Sequence, residues 1–101
     1  MDKGVIFCKL VHMAAEKGIV VKFAPLRANR AMIQGDRIAI KQDLSTIDDF
    51  NYELAHELAH AYLHYDKGNI LSGEVDEKLY VEYEQQANRA AQMMIDALVQ
   101  E

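Results

Sequence analysis

His56 and His60 stand four residues apart in a run whose apolar residues, Leu54, Ala55, Leu58, Ala59 and Tyr62, recur near a 3.6-residue period. The spacing predicts a helix. Four residues turn a helix by about 400° and lift it by about 6 Å, so both imidazoles leave one stripe on successive turns and can share a metal ion. Glu57 lies about 100° round from His56, where its carboxylate can reach a water at the metal without being a ligand, the place of a general base. Ser45 or Thr46 can cap the start of this helix, with Asp48 and Asp49 favoured in its first turn by the helix dipole. It is expected to run to about Tyr65.

The rest of the chain supplies what such a helix can pack against. Val5, Ile6, Leu10, Val11, Met13 and Ala14 predict a first helix over residues 4–17, with Gly18 as its stop. The β-branched run from Ile19, closed by Pro25, predicts a strand ending at Leu26. Residues 31–34 and 37–41 flank Gly35-Asp36, a pair suited to a type I′ or II′ hairpin turn, so a small antiparallel sheet is expected. After breaks at Gly68, Asn69, Ser72 and Gly73, apolar residues recur from Val75 through Leu79, Tyr83, Ala87, Ala90 and Met94 to Leu98, predicting a long final helix. The expected fold is α+β, in one domain over residues 1–101.

Two histidines do not complete a catalytic zinc site, which uses three protein ligands and leaves a position for water. The final helix offers Glu84, with Asn88 four residues on and therefore on the same face, where it can brace the site. Together these give a His2Glu site for Zn2+. Glu74, Asp76, Glu77 and Glu82 have no such partner pattern and read as solvated surface. His64 continues the stripe, but three successive turns span about 12 Å, too far for His56 and His64 to share one ion. Its place is auxiliary: it orders a neighbouring group, packs on Tyr80 or Tyr83, or donates to the transition state. The same five-residue pattern also arises by chance on solvated helices, although here three of the chain's four histidines fall in one apolar-faced helix.

Charge and cysteine usage narrow the setting. A net charge of −5 gives no electrostatic footprint for nucleic acid. The single cysteine excludes an internal disulfide, and no apolar stretch approaches the roughly 20 residues of a membrane span, so a cytoplasmic protein is expected. Cys8 reads as a small buried hydrophobe on the first helix, and His12 as a surface or boundary residue.

The segment Leu54-Ala55-His56-Glu57-Leu58-Ala59-His60, with Leu63 and His64 behind it, and the later Glu84-Gln85-Gln86-Ala87-Asn88 resemble the zinc metallopeptidase family of bacterial and phage proteins named after ImmA and IrrE. The resemblance spans both motif-bearing helices and the hairpin. It implies a minimal zincin-like, gluzincin-type domain with His56, His60 and Glu84 as zinc ligands and Glu57 catalytic. Ala59 stands where the family usually has Gly, and Ala90 where it usually has Phe; neither change removes a ligand. Many relatives continue into further helices or a sensing domain, so partner recognition is expected to differ. By the same resemblance, the substrate is a protein, such as a helix-turn-helix repressor of a mobile element or stress response.

The expected activity is zinc-dependent endopeptidase action, with an extended substrate pairing to the edge of the strand at Ile38–Lys41. That strand reads equally well as a plain structural edge guarded by Lys41. A second reading is a catalytically inactive zinc-binding module that recognises a regulatory partner. In that case Glu57→Gln would leave function intact.

Overall fold

The computed structural model describes residues 2–64 and 77–100. Its elements are α1 (Lys3–Glu16), β1 (Val20–Ala24), β2 (Ala31–Gln34), β3 (Arg37–Lys41), α2 (Ile47–His64) and α3 (Glu77–Val99). The order is the one expected, and the α+β class holds. The breaks expected at residues 68–73 lie outside the described residues.

Local chemistry accounts for the ends of α1. Asp2 caps its start by accepting the Gly4 N–H at 2.7 Å. At its other end Gly18 has φ +76°; its N–H donates to the Ala15 carbonyl and that of Ile19 to the Ala14 carbonyl, each at 2.9 Å. This paired closure satisfies carbonyls the helix leaves open, and it drops Ile19 into the core. Ile6, Leu10 and Ala14, at four-residue steps, form the buried face of α1. Cys8 lies well round from that stripe and is exposed, which corrects its reading as a buried hydrophobe. His12 is on the surface as expected, 3.2 Å from Glu16.

The sheet has order β1-β3-β2. The β2–β3 hairpin is antiparallel and has the bounds expected, with Gln34 opposite Arg37. Gly35 has φ +59° whereas no described non-glycine residue has positive φ, which excludes type I′ and leaves type II′ for this turn. β1 joins the other side of β3 in parallel, Val21 opposite Ile38 and Phe23 opposite Ile40, so the sheet is mixed rather than wholly antiparallel. The hairpin therefore places β3 in the middle. It has no free edge, and neither the substrate-pairing edge nor the guarded edge expected at Ile38–Lys41 exists there; the outer strands are β1 and β2.

Ile38 and Ile40 enter the core beside Leu10, Leu54 and Leu58. α2 is the hub, touching α1, α3, β2 and β3. Its start is held by Thr46, whose hydroxyl accepts the Asp49 N–H at 3.1 Å. α2 carries Ala55 and Ala59 and α3 carries Ala87 and Ala91, all fully buried. Small side chains at these positions let two helices approach closely. No described helix is long and apolar enough to cross a membrane.

Candidate metal centre

The α2–α3 contact brings His56, His60 and Glu84 to one point. One donor atom from each lies within 4.8 Å of the others, the one such group of three among the described residues. His56 Nε2 is 3.0 Å from Glu84 Oε2, and His60 Nε2 is 3.0 Å from Glu84 Oε1. The two Nε2 atoms are 3.1 Å apart. Each histidine stands on α2, one turn from the other, and α3 carries the carboxylate across to both.

Protons on neutral imidazoles cannot make all three contacts favourable. If both Nε2 atoms carry hydrogen, each donates to Glu84 but two donors then face one another. If one lacks hydrogen, its lone pair faces a carboxylate oxygen instead. A cation among the three satisfies every lone pair at once. A tetrahedral ion with bonds of ~2.1 Å separates its ligand atoms by ~3.4 Å, only slightly more than the separations here, so the donor set fits a divalent metal.

Glu57 is buried one residue along from His56. Burial first, then the Glu84 and Glu53 carboxylates, pushes its pKa from 4.5 up to about 8. Partial burial first, then nearby carboxylates, raises the phenols of Tyr52 (Glu53 and Glu84) and Tyr80 (Glu84 and Glu57). Glu53 itself is held by Arg30, whose Nε lies 3.0 Å from it while Nη2 lies 3.1 Å from Asp49. This clamp fastens the start of β2 to α2.

Asn88 is on α3 one turn past Glu84, as expected, and its Oδ1 accepts the Tyr52 hydroxyl at 2.8 Å. The Tyr52 ring is tilted against His56, with centroids 6.2 Å apart. His56 Nδ1 is buried with no hydrogen-bond partner among the described residues. Sequence reasoning missed Tyr52; its signal was its position four residues before His56, on the same stripe. His64 ends α2, and its side chain lies outside the described residues, as do Glu74, Asp76 and the Glu77 side chain. Glu82 is exposed.

A family model, Peptidase M78, IrrE N-terminal-like domain, matches residues 14–97, a span that includes every member of this cluster. Comparison with curated proteins and with solved structures gives no match. The match covers most of the chain, and the clustered residues are those on which its resemblance to the ImmA and IrrE peptidases rested. The chain belongs to the Peptidase M78 family of IrrE N-terminal-like domains.

Proposed function

We propose that the protein is a zinc-dependent endopeptidase in which His56, His60 and Glu84 hold the metal and Glu57 is the general base. The observation that carries this reading is the convergence of the three donor atoms within 4.8 Å, beside a buried carboxyl, in a metallopeptidase family domain. When bound, zinc polarises a scissile carbonyl and makes an attacking water more acidic.

The remaining steps belong to the chain. Glu57 takes the proton of the attacking water on its carboxylate and returns it to the nitrogen of the leaving amine. Its burial keeps bulk water from competing for that proton. β2 has one edge unpaired within the sheet and packs on α2. An extended segment of a protein substrate adds to that edge through main-chain hydrogen bonds, which carry little sequence demand. The Arg30 clamp holds this strand in place relative to Glu57. Asn88 braces the centre, and His64 has an auxiliary place beyond it.

The proposal extends to a single domain working in the cytoplasm, which its one free cysteine suits, with a helix-turn-helix repressor as one protein substrate. The test is incubation of zinc-loaded protein and its Glu57→Gln variant with candidate repressor partners. Cleavage by the parent and none by the variant is expected. A parent that binds zinc but cleaves nothing, and a variant that keeps the biological effect, would identify an inactive zinc-binding regulatory module instead.

A further inference from the structure

We propose that Tyr52 is a positioning residue, whose hydroxyl on Asn88 sets the register of α3 against α2 and so aims Glu84 at His56 and His60. The inference rests on the metal reading above. On α2, residues 52, 56 and 60 follow one stripe; on α3, residues 84 and 88 share one face. Tyr52 meets Asn88 while His56 and His60 meet Glu84, so residue numbers rise along α2 as they fall along α3. The helices are antiparallel here, joined by two polar rungs one helical turn apart.

Beside those rungs on the same two helices, Ala55, Ala59, Ala87 and Ala91 are fully buried. Methyl groups permit close approach but offer little relief along the helix axis, so they do not select one sliding position. Met94, Ile95 and Leu98 pack α3 on the core, and the polar rungs add directional contacts at a defined position. Glu84 is a poor anchor by itself, because it has three rotatable bonds. Tyr52 has two, and its ring is seated on the core and against His56, so its hydroxyl is a fixed point on α2. A donor fixed in this way, 2.8 Å from Asn88 Oδ1, specifies where the turn carrying Glu84 must lie.

The test is Co2+ titration, read from ligand-field absorption, of the parent, Tyr52→Phe, Asn88→Ala and the double variant, beside thermal melts of the metal-free proteins. Tyr52→Phe keeps the ring and removes only the oxygen. Each single variant is expected to bind Co2+ about tenfold more weakly, the lower end for loss of a group that orients a ligand. The double variant is expected to be no weaker than either single one. Tyr52→Phe binding within about twofold of the parent would overturn the inference, as would losses that multiply in the double variant. A merely structural hydroxyl would lower the melting temperature and leave Co2+ affinity unchanged at temperatures where the proteins are folded. A parent that binds neither Co2+ nor Zn2+ would overturn the metal reading itself and this inference with it.

Discussion

At Glu57, burial and the neighbouring Glu84 and Glu53 carboxylates act in one direction, so the metal-free folded chain keeps a proton that the unfolded chain has lost. Between pH 4.5 and about 8 the unfolded state therefore binds fewer protons, and stability falls as pH rises through that window. Melting curves of the metal-free parent and Glu57→Gln should diverge there, the parent losing stability with pH relative to the variant. Parallel curves would contradict the burial argument. Since Gln has nearly the shape of the protonated acid, the variant should fold and bind metal as the parent does. Its turnover should drop by roughly 10²–10⁴-fold, the range for loss of a general base. Retained turnover in Glu57→Gln would assign the proton transfer elsewhere.

Among the elements, the hairpin was the most legible. Ile38 and Ile40 alternate with less buried neighbours along 37–41, and Gly35 sits where a two-residue turn needs φ above zero, so bounds and pairing follow from local chemistry. Gly35→Ala meets open space but a strained backbone, and should cost about 1–2 kcal/mol in denaturant unfolding. The partner of β1 was not legible, because alternation shows which face is buried and not which neighbour lies alongside. α1 was legible as a helix but not in its facing: Val5, Phe7, Val11 and Met13 spread apolar residues beyond one stripe, and Val5 is 45% exposed. The Tyr52–Asn88 bond was hidden for a related reason, since helix-to-helix register is a property of neither helix alone. Where α2 meets α3, Ala87→Leu should force the helices apart. It is expected to lower stability by roughly 1–3 kcal/mol and to weaken metal binding in the same titration. Unchanged metal affinity would show that the centre tolerates a shifted α3.

Over the whole molecule, charge divides along the chain. Residues 1–41 hold eight of the eleven Lys and Arg, and residues 42–101 hold thirteen of the sixteen Asp and Glu. The half that contains α2 and α3 is thus strongly acidic, which favours cations around the cluster. The His56, His60 and Glu84 cluster was legible because helical spacing dictates the first two and the motif on α3 supplies the third. Its central claim is one metal held by three side chains. Metal analysis after metal-free dialysis and zinc readdition, on the parent beside His56→Ala and Glu84→Ala, tests it most directly. About one zinc per chain in the parent, lost or greatly weakened in both variants while they remain folded, is the predicted result. No zinc in the parent, or undiminished zinc in both variants, would contradict it.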